Sequence, residues 1–327
     1  MTTSHHSPTT GKRKLGKTGL EIAPLVFGGN VFGWTADRQT SFSLLDCFVG
    51  AGLNAIDTAD MYSTWVPGNQ GGESETIIGQ WLKADASRRE KVVLITKVGA
   101  PLGPDRTGLS ARRIIEAAED SLRRLQTDRI DLYFSHFPDE QTPIEETLRA
   151  YETLIQQGKV RAIGASNYSV AQLREAMVAS SGSGLPRYDV LQPEYNLYDR
   201  AGYEGELRDL VMSEQLGVIT YYSLASGFLS GKYRSKDDLG KSARGGGIEK
   251  YLDARGLRIL DALDTVAQGH NGKPAEVALA WLMTREGVTA PIASASRLEQ
   301  MDSLIKATRL TLTAADIALL DEASAVA

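Results

Sequence analysis

Residues 130–164 read IDLYFSHFPDEQTPIEETLRAYETLIQQGKVRAIG. A short apolar run, Ile130 to Phe134, leads into an amphipathic helical stretch from Pro143 to Gln157, and then into a second short run, Val160 to Gly164. Two strand-length runs joined through a helix point to parallel pairing, because parallel strands need a long crossover and a helix supplies it. The alternation continues in both directions. Toward the N-terminus come a helix capped by Ser110, with Glu119, Asp120, Arg123 and Arg124 on its solvated face, a strand at Val92 to Thr96, a helix at Glu73 to Lys83, a strand at Leu53 to Ile56, a helix at Arg38 to Gly50, and a strand at Leu25 to Gly28. Arg13 to Ile22, with Lys17-Thr18-Gly19 as its turn, reads as a small hairpin. Toward the C-terminus come a helix from Val170 to Val178, a flexible connector Ser181-Gly182-Ser183-Gly184, strand six at Val190 to Leu191, a helix at Glu204 to Gln215, and strand seven at Val218 to Tyr221. A glycine-rich segment and an inserted helix, Asp253 to Gln268, precede a helix opened by Pro274 and strand eight at Thr289 to Ile292. Helices near Leu298 to Ala307 and from Thr313 to about Ala325 close the pattern.

Eight strand–helix units favour a (β/α)8 barrel, although periodicity alone leaves an open doubly wound sheet as the alternative. The chain has 327 residues, and such barrels commonly run to about 250 residues or more as one domain. The expected organisation is a disordered tail over 1–12, which includes His5 and His6, and a single catalytic barrel over 13–327. The N-terminal β-hairpin, the helix after strand seven and the C-terminal helix are its additions.

A formal net charge of −5 argues against nucleic acid as the main partner. Cys47 is the only cysteine and lies in an apolar helical run, so it reads as a buried hydrophobe. No apolar run approaches the ~20 residues that span a bilayer, and Met1 to Gly11 lacks the apolar core of a signal peptide. The reading is a cytoplasmic protein with no membrane partner and an oligomeric state that the sequence leaves open. Four histidines, two of them in the tail, and one cysteine leave no metal-ligand cluster. Gly227 to Lys232 has the wrong spacing for a phosphate-binding P-loop, and Tyr233 stands where Ser or Thr is required.

The polar residues at the strand ends carry the function. Asp57 comes after strand two, Lys97 after strand three, His136 after strand four, Ser166 and Asn167 after strand five, and Gln192 after strand six; Tyr221 ends strand seven and Ser294 lies just past strand eight. In a barrel the carboxyl ends of all strands meet on one face, where catalytic groups of this fold are found. Carbonyl reduction needs a hydride, which no side chain supplies, and a proton. Tyr62 is a proton donor if a neighbouring Lys97 cation lowers its pKa. Asp57 would hold Lys97 charged and oriented, and His136 would polarise the carbonyl oxygen. Each has an ordinary alternative: a turn cap for Asp57, a loop aromatic for Tyr62, a solvent-reaching Lys97, a satisfied core His136.

In their sequence context these residues resemble the aldo-keto reductase superfamily. Asn54-Ala55-Ile56-Asp57-Thr58-Ala59-Asp60-Met61-Tyr62 is similar to its signature, with the catalytic Asp and the Tyr five residues later; Thr96-Lys97 matches the catalytic lysine. Asp131-Leu132-Tyr133-Phe134-Ser135-His136 matches the strand carrying the histidine, and Gly158 to Tyr168 is close to a further family pattern. The resemblance runs from about Arg13 to Ala323. It implies a TIM barrel reducing a small-molecule carbonyl with NADPH, NADH being possible, bound without a Rossmann fold; accordingly no G-x-G-x-x-G sits between a strand and a helix. It also implies that Ser166, Asn167 and Gln192 hold the nicotinamide carboxamide, and that Tyr221 stacks on the ring. Leu224, Gly227 and Lys232 would line the pyrophosphate path, and Arg244 would clamp over the cofactor. Ser294, Ser296 and Arg297 fall in the segment that holds the adenosine 2′-phosphate, and Gln300 at an adenosine contact; a guanidinium there suits phosphate. Relatives often have Tyr-Ser-Pro-Leu where this chain has Tyr221-Tyr222-Ser223-Leu224. Phe32, Trp34 and Trp65, in loops after strands one and two, are expected pocket walls. A cofactor-binding channel subunit of the same superfamily is the rival reading; all four catalytic positions are filled here.

Overall fold

The computed structural model describes residues 11–325. Most of the expected tail, His5 and His6 included, therefore lies outside the described residues. Arg13–Lys14 (β1) and Glu21–Ile22 (β2) pair antiparallel as the hairpin. Eight parallel strands come next: Val26–Gly28 (β3), Ala55–Asp57 (β4), Val93–Val98 (β5), Ile130–Ser135 (β6), Val160–Ser166 (β7), Val190–Gln192 (β8), Gly217–Thr220 (β9) and Ala290–Ala293 (β10). The last strand pairs with β9 through Ala290 and Ile219 and with β3 through Ile292 and Val26, so the sheet closes into a barrel and the open-sheet alternative falls away. Strand seven ends one residue earlier than expected. Tyr221 makes an isolated bridge to Glu194 beyond β9.

The surrounding helices are Arg38–Gly50 (α1), Glu73–Ala84 (α2), Ala111–Leu125 (α3), Ile144–Gln156 (α4), Val170–Ser183 (α5), Glu206–Glu214 (α6), Ala254–Gly269 (α7), Pro274–Thr284 (α8), Leu298–Ala307 (α9) and Ala314–Ser324 (α10). Ser110, Ser169, Asp253 and Thr313 accept the hydrogen bonds that open their helices. Two expectations are corrected. The serines and Gly182 of the supposed connector 181–184 form the last turn of α5, because Ala179 and Ser180 are buried and hold that turn against the core; only Gly184, at φ 64°, leaves the helix. Arg124 does not belong with a purely solvated face, since it reaches the fully buried Glu75 at 2.7 Å. No helix among the described residues is long and apolar enough to cross a membrane.

Inside the barrel, Val26, Ala55, Val93, Ile95, Leu132, Phe134, Ala162, Val190, Ile219, Ala290 and Ile292 form one apolar cluster, and Leu15, Leu20 and Ile22 of the hairpin plug it from below. Gly164 makes room for Phe134, whose ring atom would stand 2.4 Å from a Cβ there. Side chains alternate along a strand. If Val93 and Ile95 point inward, so does Lys97; the same parity brings in Asp57, His136, Ser166, Gln192, Tyr221 and Ser294 as the uppermost inward layer, at the carboxyl ends.

Candidate active site

Lys97 is fully buried at the end of β5, and its ammonium makes three hydrogen bonds: to Asp57 Oδ2 at 2.6 Å, to the Thr58 carbonyl at 2.8 Å and to the Tyr62 hydroxyl at 2.8 Å. An ammonium has three donors, so all are spent. The Tyr62 hydroxyl in turn donates to Asp57 Oδ2 at 3.1 Å. Tyr62 hangs from the loop after β4, where its N–H bonds back to the Ala59 carbonyl. That loop is anchored from behind: Asp60 meets Arg113 of α3 at 2.8 Å, and Ser63 Oγ donates to the Phe32 carbonyl at 2.7 Å.

The His136 ring stands edge-on to Tyr62, with centroids 6.2 Å apart, and stacks on Phe137 at 4.7 Å. Its Nδ1 is buried with no hydrogen-bond partner. Burial, and secondarily Lys97, hold the imidazole well below its ordinary range, so it is neutral. Burial also pulls the Lys97 ammonium below the usual lysine range, against the opposing pull of Asp57. Tyr62 departs from expectation. Burial and the Asp57 carboxylate push its phenol well above the ordinary value, rather than Lys97 lowering it. The phenol is therefore a neutral, proton-bearing group. Asp60, buried beside Glu75 and only partly compensated by Arg113, is pushed up to about 7.

Beside this set lies a shelf of amides. Gln192 Nε2 donates to Asp57 Oδ1 at 3.0 Å. Ser166 Oγ donates to the Gln192 carbonyl at 2.9 Å. Asn167, at φ 64°, donates from Nδ2 to the His136 carbonyl at 2.9 Å and accepts from the Tyr221 hydroxyl at 2.7 Å. Farther out, Leu224 is half-buried where the chain leaves β9, and Lys232 Nζ would lie 3.6 Å from a Cβ on Gly227, itself at φ 100°. Arg244 places its guanidinium 5.2 Å over the Trp34 ring, with Nη2 buried and unpartnered. Ser296 donates to the Gln300 side chain from its N–H (2.8 Å) and Oγ (3.1 Å), the exposed Arg297 occupies the N-cap of α9, and Ser294 Oγ donates to Asn30 at 2.7 Å.

Trp34 and Trp65 pack edge to face at 5.6 Å, and Trp65 lies 6.1 Å from Tyr62. Phe32 is corrected: it is fully buried, 5.4 Å from Phe27, and supports the first loop from beneath instead of walling the pocket. Sequence reasoning missed Phe137 and Tyr222, both large exposed aromatics, and Asn30. The signal for the aromatics was adjacency, since each directly follows a residue already assigned to the site. A separate cavity of about 590 Å³, lined by Lys12, Lys14, Lys17, Lys91, Arg129 and Arg161 among others, lies at the amino ends of the strands, the wrong end for this chemistry. Among the described residues no three His, Cys, Asp or Glu side chains are placed to share a metal ion.

The residues present fit a nicotinamide dinucleotide: the Gln192 amide oxygen beside Asp57, which no described residue bonds, the unpartnered Arg244 nitrogen, and the guanidinium at the start of α9. Comparison with known proteins agrees. The model of the Aldo/keto reductase family matches residues 24–325. The chain is 36% identical over 306 residues to the protein described as uncharacterized oxidoreductase YrpG of Bacillus subtilis (strain 168), covering 91% of each chain. It is 34% identical to a probable voltage-gated potassium channel subunit beta of Arabidopsis thaliana, covering 90% of each. It is 30% identical to L-glyceraldehyde 3-phosphate reductase of Escherichia coli O157:H7, covering 95% of this chain and 91% of that one. The chain belongs to the aldo/keto reductase family, oxidoreductases of carbonyl compounds that use nicotinamide cofactors.

Proposed function

We propose that the chain reduces aldehydes or ketones to alcohols, reversibly, with NADPH and with Tyr62 as the general acid. The observation that carries this reading is the three-way bonding of Lys97 to Asp57, Thr58 and the Tyr62 hydroxyl. The bound cofactor supplies a hydride to the carbonyl carbon. Tyr62 holds the matching proton on Oη. That proton points at Asp57 Oδ2 in this structure, so it turns about the C–O bond to meet a carbonyl oxygen. Lys97 keeps a hydrogen bond on the phenol oxygen throughout and stabilises the phenolate left behind. Neutral His136 offers an N–H to the same carbonyl oxygen, and Asp57 keeps Lys97 aimed. Ser166, Asn167 and Gln192 would hold the carboxamide, Tyr221 the ring, and Leu224, Gly227, Lys232 and Arg244 the pyrophosphate. Ser294, Ser296, Arg297 and Gln300 would take the 2′-phosphoadenosine end, which is why NADPH is favoured over NADH. Trp34 and Trp65 would wall a small-molecule substrate. The lone cysteine and acidic charge suit a cytoplasmic enzyme.

The test is nucleotide oxidation with a panel of carbonyls, run with NADPH and NADH side by side on the parent and on Tyr62→Phe. The variant is expected to keep cofactor affinity while the rate falls by about 10²–10⁴. Near-normal rates would remove Tyr62 from the role. A parent that binds cofactor yet turns over no carbonyl would favour a binding subunit.

A further inference from the structure

Asp57 is buried, and its two oxygens are used differently. Oδ2 receives Lys97 at 2.6 Å and Tyr62 at 3.1 Å, whereas the bond to Oδ1 comes from Gln192 Nε2 at 3.0 Å. A carboxylate paired to an ammonium only accepts. The Gln192 amide is therefore fixed with its nitrogen toward Asp57, because the flipped amide would set oxygen against oxygen at the same distance. Oε1 is left facing away from Asp57, with no hydrogen bond to any described residue. The backbone beneath is braced by Ser166 Oγ on the Gln192 carbonyl at 2.9 Å and by Asn167 Nδ2 on Ser166 Oγ at 3.2 Å. Gln192 itself is only 2% exposed.

We propose that Gln192 is a positioning residue for the proton-donating set: its amide nitrogen orients Asp57 while its amide oxygen accepts an N–H from the bound cofactor, so that seating the ligand and aligning the acid are one event. This rests on the functional reading above and adds to it a role in the chemical step for a residue otherwise assigned to binding. The titratable group in contact with this amide is Asp57 on β4, which in turn carries Lys97 of β5 and Tyr62 of the loop after β4 on its other oxygen.

Gln192→Glu separates the two ends of the amide. It keeps an acceptor for the ligand at every pH, but it donates to Asp57 only while its new carboxyl is protonated. If Gln192 served the ligand alone, Gln192→Leu would keep parental kcat with saturating cofactor, and any loss in Gln192→Glu would come only from the second carboxylate set against Asp57. If it positions Asp57, kcat of Gln192→Glu at neutral and alkaline pH falls by about ten- to one-hundred-fold, the loss expected for a buried charge-assisted hydrogen bond. The ratio to the parent then climbs back as the pH falls. Gln192→Leu, which cannot donate at any pH, gives a low ratio independent of pH.

Two further readouts do not depend on turnover. Calorimetric titration with NADPH is expected to show Gln192→Glu binding within about three-fold of the parent, since an acceptor remains for the ligand. The melting temperature of the cofactor-free variant should drop further below the parent as pH rises, because the new carboxyl has a raised folded pKa and its cost appears only as it ionises. A melting difference that is flat with pH, or a parental kcat in either variant, overturns the proposal. A parent inactive toward every carbonyl overturns the functional reading and this proposal with it; an active parent with a flat ratio overturns this proposal alone.

Discussion

His136 carries a cost that pH exposes. Its imidazole is held well below the ordinary range by burial and by the Lys97 charge, with Nδ1 unpartnered. Below pH ~6.5 the unfolded chain takes up a proton at this position and the folded chain does not. Stability is therefore lost as pH falls, by up to about 1.4 kcal/mol per unit, until the folded site itself is protonated. His136→Asn is expected to remove that part of the slope between pH ~6.5 and ~5, read as urea midpoints across the range; an unchanged slope would show that His136 is not held neutral. At this scale much of the site was legible. Asp57, Lys97, His136, Ser166 and Gln192 each lie at or next to the end of a strand whose earlier inward positions are apolar, so parity alone sends them to one pocket. The charge state of Tyr62 was not legible, because a phenol between Lys97 and Asp57 responds to burial and to a carboxylate 3.1 Å away, and neither is written in the spacing. Phe32 was misplaced for a related reason. Position after a strand says that a side chain is near the mouth but not whether it faces up or down.

Helices and strands were readable where period and caps agreed. Ser110, Ser169, Asp253 and Thr313 all cap as their chemistry dictates. Residues 181–184 were misread because serine and glycine are poor helix formers, while tertiary packing of Ala179 and Ser180 carries α5 onward. Gly79 shows packing overruling propensity in the opposite sense. In mid-helix, alanine would ordinarily gain about 1 kcal/mol over glycine. Here a Cβ would lie 2.0 Å from the Arg124 carbonyl oxygen and 2.8 Å from the Leu125 carbonyl carbon. Backbone does not yield like a side chain, so α2 and α3 must part. Gly79→Ala is expected to destabilise by at least about 1–3 kcal/mol by chemical denaturation. A stabilised variant would mean that the two helices are not in contact there. The displacement would also disturb the Glu75–Arg124 pair that α2 and α3 share behind Thr96.

The whole molecule is closed by contacts between distant parts of the chain. The strand alternation made eight units visible, but closure depends on β10 reaching β3, a pairing that no local pattern encodes. Arg13 reinforces it from below, donating to the carbonyls of Thr289 at 3.0 Å and Met283 at 3.2 Å. Arg13→Ala is expected to cost roughly 1–3 kcal/mol, seen as a lower urea midpoint, while leaving the tetrad at the opposite end of the barrel untouched in cofactor titrations. Loss of cofactor affinity in step with stability would show instead that the floor and the mouth are strained together. The basic cavity at the foot belongs to this same end and explains why a large hollow is not the reaction site.

The hairpin floor has a consequence for synthesis. Arg13, Leu15 and Ile22 are made early, yet the Thr289 carbonyl that Arg13 clasps comes 276 residues later. At about 5–20 residues per second on a ribosome, the plug waits tens of seconds for the rim it must seal. During that interval its leucines and isoleucine have only the earlier strands to lean on, and the wall formed by Ala290 and Ile292 is the last to cover them.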